Sequence, residues 1–160
     1  MNHCLLHTAK IISFNGTNAA EIKFNSKWLG KMDFADVLQL GSKMTVQQML
    51  ERDMFQKRIE EGKPIYVHEF IYPLMQGYDS VAMMVDGEIG GNDQLFNMLT
   101  GRDLLKEYEK ERFVMTVKLL ADATGKKMGK SEGNMITLND SPDEMYGKII
   151  YLAAIFLIAG

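Results

Sequence analysis

The chain has 160 residues, a length that predicts one domain rather than two full-sized ones. Hydrophobic residues make up 46% of it and charged residues 24%, which is typical of a globular protein and excludes disorder as the main state. Its 18 Lys and Arg against 21 Asp and Glu give a net charge of -3, so the chain as a whole offers no basic field to a nucleic acid. Any such contact must be local.

The single cysteine, Cys4, excludes an internal disulfide and a cysteine-based zinc site, and the three histidines are too scattered for a metal cluster. This cysteine usage fits a reducing compartment, so we expect a cytoplasmic protein without a metal site. The first residues lack the apolar core and cleavage site of a signal peptide. The longest apolar run, residues 149–160, is shorter than the roughly 20 residues of a membrane span, which predicts a buried helix and no membrane contact.

The first predicted elements are one strand and two helices. Residues 19–24 combine apolar and β-branched side chains and favour a short strand. Thr45 with Gln48 three residues later forms a capping box, the local signature of a helix start. Apolar residues then recur at helical spacing until Gly62, which predicts the end of this helix. A second helix follows over residues 64–77, and we expect Pro73 to bend its last part.

Two further strands and two helices are predicted in the rest of the chain. Residues 80–85, SVAMMV, form an apolar run that suits a buried strand of a parallel sheet. Asn92 can cap a helix that ends before Gly101. Residues 113–120, FVMTVKLL, predict another buried strand. A capping box at Ser141, with proline at the first helical position, predicts a last helix.

The order of these elements indicates the fold class. Strand, glycine turn, helix, strand, basic loop and helix follow one another, which predicts an α/β fold with parallel strands and flanking helices. In such sheets ligands bind beyond the carboxyl ends of the strands. The turn at Gly90 and Gly91 and the basic loop over residues 121–134 both lie there.

Three polar residues, in and just after the second predicted helix, would share one face at helical spacing. Tyr72, Gln76 and Asp79 fall within about 40° of one line at 100° per residue. A phenol, a carboxamide and a carboxylate can together hydrogen-bond a small polar ligand, and the carboxylate suits an ammonium group or a phenolic hydroxyl. The alternative is a solvated polar face without a ligand.

The segment GGNDQ, residues 90–94, combines two glycines with the start of a helix. Glycines allow a ligand to approach the backbone closely, and helix N-termini attract polar ligand groups. Asp93 suits a ribose hydroxyl better than a phosphate, because a carboxylate and a phosphate repel each other. The alternative is a helix start whose aspartate only complements the helix dipole.

The loop TGKKMGKSEGN holds Lys126, Lys127, Lys130 and Ser131 between glycines. Ammonium groups in such a loop can stabilise the charge that develops on a departing phosphate. The loop lacks the GxxxxGK(S/T) spacing of a P-loop. The alternative is a solvated basic hairpin or a patch for any polyanion.

Three segments resemble the tyrosyl-tRNA synthetases, class I enzymes of bacterial type. They are YPLMQGYD at residues 72–79, GGNDQLFNMLTGR at 90–102 and KKMGKSEGN at 126–134, and the likeness extends over most of the chain. KMGKS resembles the family's KMSKS signature, with Gly129 in place of the first serine. The resemblance implies the second half of a Rossmann-like catalytic domain (residues 71–160), preceded by part of a helical connecting insertion (residues 1–70).

The resemblance also implies a role for each matching residue. Four residues are expected to bind tyrosine, with Asp79 at the phenolic hydroxyl, Gln76 near the amino group and Gln94 near the carboxyl end; the fourth is Tyr72. Four more are expected at the adenosine part of ATP: Gly91, Asp93, Leu119 and Leu120. The catalytic group is expected to be Lys127, Lys130 and Ser131, with both lysines on the β- and γ-phosphates.

Substrates and partners follow from the same likeness. It implies ATP with Mg²⁺, L-tyrosine and tRNA(Tyr) as substrates, and a homodimer formed by the insertion helices of residues 54–70. No HxGH signature occurs in the sequence, so we expect a fragment that lacks the first half of the catalytic domain and the anticodon-binding domain, and that is inactive alone. One alternative is a remnant that only dimerises or binds ligand. The related synthetases for tryptophan are disfavoured because Asp79 suits a phenol.

Overall fold

The computed structural model describes residues 8–121, 127–129 and 135–158, with residues 152–158 described by their backbone alone. Two compact units are present. The first is Phe24–Lys118, and the second is built from the described residues within Met1–Lys23 and Leu119–Gly160.

The first unit contains six helices and two strands among its described residues. The helices are α1 (Ser26–Leu29), α2 (Phe34–Gly41), α3 (Val46–Leu50), α4 (Asp53–Glu60), α5 (Val67–Met83) and α6 (Leu95–Lys106). The strands are β1 (Gly87–Gly91) and β2 (Phe113–Val117), and a 3-10 turn, Asn92–Gln94, joins β1 to α6. The second unit contains α7 (Pro142–Ile158).

Both predicted capping boxes are confirmed. The Thr45 backbone N–H donates to Gln48 Oε1 at 2.8 Å, and the Gln48 N–H donates to Thr45 Oγ1 at 3.2 Å. At α7 the Ser141 N–H donates to Glu144 Oε2 at 2.8 Å, and the Glu144 N–H donates back to Ser141 Oγ at 3.3 Å. These boxes are local in sequence, so each one satisfies the free N–H groups of its helix without any distant residue.

The helix predicted from Thr45 to Gly62 is divided into α3 and α4. Arg52 has an extended backbone, with φ -66° and ψ 127°, between the two. Met49 and Phe55 are both buried, at 3% and 0% exposed. Six residues along a continuous helix would place the two side chains about 120° apart around its axis, so they would not share one face. The break at Arg52 allows both side chains to be buried.

The strand predicted at residues 80–85 is wrong, because α5 continues through this segment. The helix passes Pro73 and Gly77 and ends at Met84, whose φ of 48° is left-handed. The apolar run is buried as the last turns of a helix: Leu74 and Val81, at 3% and 7% exposed, join the core with residues of α6. A short apolar run fits a buried helix as well as a buried strand.

The sheet consists of two parallel strands in the described part of the first unit. Gly87 pairs with Phe113 and Gly91 with Val117, so both strands end at the same edge. Parallel strands were predicted and are confirmed, and β2 covers the first part of the predicted strand 113–120. The expected burial of this strand is wrong, since Phe113, Met115 and Val117 are exposed. The glycines expected to form a turn, Gly90 and Gly91, instead end β1.

Residues 19–24 do not form the predicted strand. They carry no strand assignment, and Ile22 and Phe24 are exposed. The Ala20 N–H donates to the Ser13 carbonyl at 2.8 Å, so this backbone closes a local loop. β-branched composition alone does not supply a partner strand.

Helices α5 and α6 pack closely because both carry a glycine at their contact. A Cβ on Gly77 would lie 3.0 Å from both Leu104 Cδ1 and Thr100 Cγ2. A Cβ on Gly101 would lie 2.7 Å from Arg112 Nη2 and 2.8 Å from Ser80 Oγ. The prediction that this helix ends before Gly101 is wrong: Gly101 lies inside α6, which continues to Lys106.

Arg112, just before β2, ties three elements of this unit together. Its side chain is fully buried and donates to Ser80 Oγ on α5 and to Glu88 Oε2 on β1, both at 2.6 Å. It also donates to the Met98 carbonyl on α6. Glu88 pairs with the buried charge through Nη1, although Arg112 Nε has no hydrogen-bond partner among the described residues. These bonds fix β1 against the two helices.

The second unit is organised around the start of α7. Lys148 Nζ lies 2.7 Å from Asp140 Oδ2, and this bond together with Thr137 lowers the pKa of Asp140. The segment 149–158 is helical as predicted, but its first residues, Ile149, Ile150 and Tyr151, are exposed rather than buried. The side chains from residue 152 onwards are outside the described part of the chain. Among the described helices, none is long and apolar enough to cross a membrane.

Candidate active site

Helix α5 carries the three residues predicted to share a polar face. Gln76 and Asp79 are half-buried, whereas Tyr72 is 59% exposed. The three side chains have different neighbours. They therefore occupy three separate positions along the helix and do not form one cluster.

Asp79 is held by two residues from the segment of α1. The indole Nε1 of Trp28 donates to Asp79 Oδ1 at 2.7 Å, and Asn25 Nδ2 lies 3.4 Å from Asp79 Oδ2. The indole bond is short and charge-assisted, and it fixes the carboxylate against rotation. A fixed carboxylate with remaining acceptor capacity can receive a further donor such as a ligand hydroxyl.

Gln76 and Gln94 are brought together by Asn97 on α6. Asn97 Nδ2 donates to Gln76 Oε1 at 3.0 Å and to Gln94 Oε1 at 3.2 Å. Asn97 is 3% exposed, and both glutamines are half-buried. Residues predicted from two separate segments therefore lie on either side of one buried carboxamide.

Tyr72 lines an apolar groove of about 560 Å³ beside α4, together with Met54, Phe55 and Met75. Arg52 borders the same groove, with its guanidinium 5.2 Å from the Phe55 ring centre. Burial is the main effect that lowers the pKa of Arg52, against the raising influence of Tyr72 and Glu69. Tyr72 therefore lies at a surface shared by α4 and α5.

Gly91 and Asp93 lie where β1 ends. Gly91 is the last residue of β1 and precedes the 3-10 turn that contains Asp93 and Gln94. Asp93 is exposed and lines a cavity of about 490 Å³ with Arg52 and Phe96. This position, at the carboxyl end of a parallel strand, is where α/β sheets bind ligands.

The remaining predicted residues belong to the second unit. Leu119 is half-buried and Leu120 is 66% exposed, and the Leu120 carbonyl accepts from the Met128 N–H at 2.8 Å. Lys127 forms an antiparallel bridge with Ala121, the first residue of the loop. Lys126, Lys130 and Ser131 lie outside the described residues.

Three residues that position the site were missed from the sequence: Trp28, Asn25 and Asn97. Trp28 is the only tryptophan of the chain, but no local pattern links it to a helix 51 positions later. Asn97 carries a stronger signal, because an asparagine beside the core residue Met98 requires hydrogen-bond partners. Within the described part of the chain, no group of three His, Cys, Asp or Glu side chains is placed to hold a metal ion.

Comparisons with known proteins identify the family of the chain. The family described as "tRNA synthetases class I (W and Y)" matches residues 4–154. The tyrosine–tRNA ligase of Thermotoga maritima is 55% identical over 132 residues, which are 81% of this chain and 33% of that protein. That of Carboxydothermus hydrogenoformans is 55% identical over 129 residues, 79% of this chain and 31% of that protein. The chain thus spans about a third of the length of these curated relatives.

Solved structures show the same fold. The tyrosyl-tRNA synthetase of Archaeoglobus fulgidus, solved with L-tyrosine, has a TM-score of 0.59 and 27% identity, and the match covers 83% of this chain and 42% of that one. The mitochondrial enzyme of Coccidioides posadasii, at 23% identity and a TM-score of 0.59 over 78% of this chain and 42% of that one, supports the fold alone. The α/β prediction, with a Rossmann-like arrangement, is confirmed. The chain belongs to the class I tRNA synthetases of the tryptophan and tyrosine type.

Proposed function

We propose that this chain is the part of a tyrosine–tRNA ligase that contacts tyrosine and the phosphates of ATP. The ligase would activate L-tyrosine with ATP to tyrosyl-adenylate and then transfer the tyrosyl group to tRNA(Tyr). The observation that carries the proposal is the Asp79 carboxylate, half-buried on α5 and fixed by the Trp28 indole at 2.7 Å. A fixed carboxylate in a partly buried position selects a ligand that brings its own hydroxyl donor, as the phenol of tyrosine does.

On the tyrosine side, each residue has a distinct role. Asp79 accepts a hydrogen bond from the phenolic hydroxyl, and Tyr72 lies on the same helix face. Gln76 and Gln94 accept hydrogen bonds from Asn97 Nδ2 at 3.0 and 3.2 Å. They contact the end of tyrosine that carries the amino and carboxyl groups. A tyrosine placed this way presents its carboxylate towards the end of β1.

On the ATP side, Gly91 and Asp93 are proposed to contact the ribose, because Gly91 ends a parallel strand and Asp93 follows it with an exposed carboxylate. Leu119 and Leu120 are proposed to line the adenine site. Lys127 and Lys130 are proposed to stabilise the β- and γ-phosphates as pyrophosphate leaves, and Ser131 is proposed as the third catalytic residue of the loop. Mg²⁺ would enter with ATP and share the phosphate charge.

The assembly and its location are also proposals. We place residues 1–70 in the connecting insertion and residues 71–160 in the second half of the nucleotide-binding fold. The apolar groove between α4 and α5 is proposed as part of a homodimer surface, since Met54 and Met75 line it and are both partly exposed. We propose a cytoplasmic enzyme that binds tRNA(Tyr).

The proposal is tested in a chimera in which this chain replaces the matched residues of the Thermotoga maritima ligase. Asp79→Ala should raise the KM for tyrosine by a factor that corresponds to about 1–3 kcal/mol, because the phenolic hydroxyl loses its acceptor. Discrimination against phenylalanine should fall at the same time. Tyr72→Phe should also weaken tyrosine activation.

The matched control is Asp103→Asn, which removes an exposed carboxylate that pairs with Lys106 at 2.8 Å on α6. This variant should retain the kinetics of the unsubstituted chimera. If Asp79→Ala and Tyr72→Phe both left tyrosine kinetics unchanged, the pocket assignment would be wrong. Activation of tryptophan in place of tyrosine would assign the chain to the other branch of its family.

A further inference from the structure

Asn97 occupies an unusual position for a polar side chain. It lies in the first turn of α6, is 3% exposed, and donates from Nδ2 to both Gln76 Oε1 and Gln94 Oε1. An amide nitrogen carries two hydrogens, so it can make both bonds at once. Its own Oδ1 is buried without a partner among the described residues. Among the described residues, the two glutamines are therefore the hydrogen-bond partners of the Asn97 side chain.

These two bonds determine which way each glutamine carboxamide faces. A carboxamide is flat, and a half-turn about its last torsion exchanges its acceptor oxygen with its donor nitrogen. With both Oε1 atoms directed at Asn97, both Nε2 groups are directed away from it. A half-turn of either glutamine would place two donors face to face and break the bond to Asn97.

We propose that Asn97 is a positioning residue that locks the carboxamides of Gln76 and Gln94 in one orientation. It thereby decides which edge of each carboxamide meets the amino-acid end of tyrosine. This rests on the proposed function, which takes both glutamines as tyrosine contacts. Directed away from Asn97, the two Nε2 groups are donors and suit the carboxylate of an amino acid. The ammonium group requires acceptors, and Gln76 can serve it through the second lone pair of its Oε1.

Asn97→Asp is the variant that separates locking from simple packing. Aspartate has nearly the same shape as asparagine but only accepts hydrogen bonds when ionised. It should therefore draw both Nε2 groups inwards and turn both Oε1 atoms out. The matched control is Asn92→Asp, which adds the same charge in the exposed 3-10 turn.

The orientation is read directly by NMR on the ¹⁵N-labelled 160-residue chain. In the unsubstituted chain we expect the Asn97 side-chain NH₂ to be protected from hydrogen exchange and to show contacts to both glutamine side chains. In Asn97→Asp the protection should move to the NH₂ groups of Gln76 and Gln94, and in Asn92→Asp it should not. An Asn97 NH₂ that exchanges as fast as that of Asn92 would overturn the proposal, whether or not any variant folds.

Ligand titration to millimolar concentration then tests the consequence. The ratio of L-tyrosine affinity to the affinity for tyramine, which lacks the carboxylate, should fall about tenfold in Asn97→Asp and stay constant in Asn92→Asp. An equal loss for both ligands would show that Asn97 only supports packing, and would overturn the lock. These titrations use the chimera, which supplies the other half of the catalytic domain. If the unsubstituted chimera bound neither ligand, the proposed function would fail, while the NMR result on the 160-residue chain would still decide the orientation of the carboxamides.

Discussion

The indole N–H of Trp28 donates to the carboxylate of Asp79 across 2.7 Å, although the two residues are 51 positions apart in sequence. Trp28 belongs to a four-residue helix, and Asp79 lies on the longest helix of the first unit. The bond therefore makes the short segment around α1 part of the proposed binding site. It also explains why Asp79 faces one direction although it is only half-buried.

We predict that Trp28→Phe in the chimera weakens tyrosine activation. The substitution keeps an aromatic ring but removes the donor, so Asp79 loses a charge-assisted bond worth about 1.5–3 kcal/mol. We expect the KM for tyrosine to rise about tenfold or more and the preference over phenylalanine to fall. Steady-state kinetics with both amino acids measure this.

Asn25→Ala provides the comparison, because its nitrogen is 3.4 Å from the same carboxylate and contributes the weaker bond. It should change the KM for tyrosine less than Trp28→Phe does. Equal kinetics for Trp28→Phe and the unsubstituted chimera would show that the indole bond does not position Asp79 for the substrate.

We predict that Lys130→Ala in the chimera slows adenylate formation by a factor of about 100 to 1,000, with little change in tyrosine affinity. The lysine meets charge that grows only as pyrophosphate departs, so its loss affects the chemical step. Pre-steady-state measurement of adenylate formation over a range of tyrosine concentrations separates the two. A variant whose only defect was weaker tyrosine binding would place this loop elsewhere.

We predict that Gly101→Ala destabilises the 160-residue chain by about 1–3 kcal/mol, because its Cβ would lie 2.7 Å from the buried Arg112 guanidinium. Gly41→Ala is the control, since no atom lies within 4 Å of its added Cβ. It should be neutral or slightly stabilising. Denaturant unfolding of both variants tests this, and equal midpoints would contradict the close contact of α5 and α6.

We predict that Glu69 contributes to the stability of the chain in a pH-dependent way. Hydrogen bonds from Arg58, at 2.5 Å, and from the Tyr66 N–H lower the pKa of Glu69 from 4.5 to about 2. A lowered folded-state pKa means that the stabilisation is complete above about pH 4.5 and is lost as the pH falls through about 2. Glu69→Gln should therefore flatten the fall in unfolding free energy over this range.

Glu60→Gln, an exposed glutamate on α4, serves as the control for that pH series. It should leave the pH dependence of unfolding close to that of the unsubstituted chain. A Glu69→Gln profile that matched the unsubstituted chain from pH 2 to 5 would show that the bond to Arg58 does not stabilise the fold.

Local signals in the sequence predicted the parts of the fold that need only local contacts. The capping boxes at Thr45 and Ser141 each close within four residues, and both were found where they were predicted. Strand β1, GEIGG, has almost no strand propensity of its own, and it forms through its register with β2 and the buried Arg112. No window of sequence around Gly87 contains that information.

In the candidate site, too, local spacing predicted some features and tertiary packing determined the others. The shared face of Gln76 and Asp79 follows from helical spacing, and that spacing holds because α5 is one continuous helix. The partners that fix these two side chains, Asn97 and Trp28, come from other elements. Tertiary packing chooses them, so helical periodicity could not predict them.

The proposed function is tested most directly by tyrosine-dependent exchange of labelled pyrophosphate into ATP, measured for the chimera and for the 160-residue chain alone. We expect exchange by the chimera with tyrosine and not with tryptophan, and Lys130→Ala should abolish it. We expect none by the chain alone, because its sequence contains no HxGH to share the α-phosphate charge. A folded chimera without tyrosine-dependent exchange, or exchange by the chain alone that Lys130→Ala abolishes, would contradict these expectations.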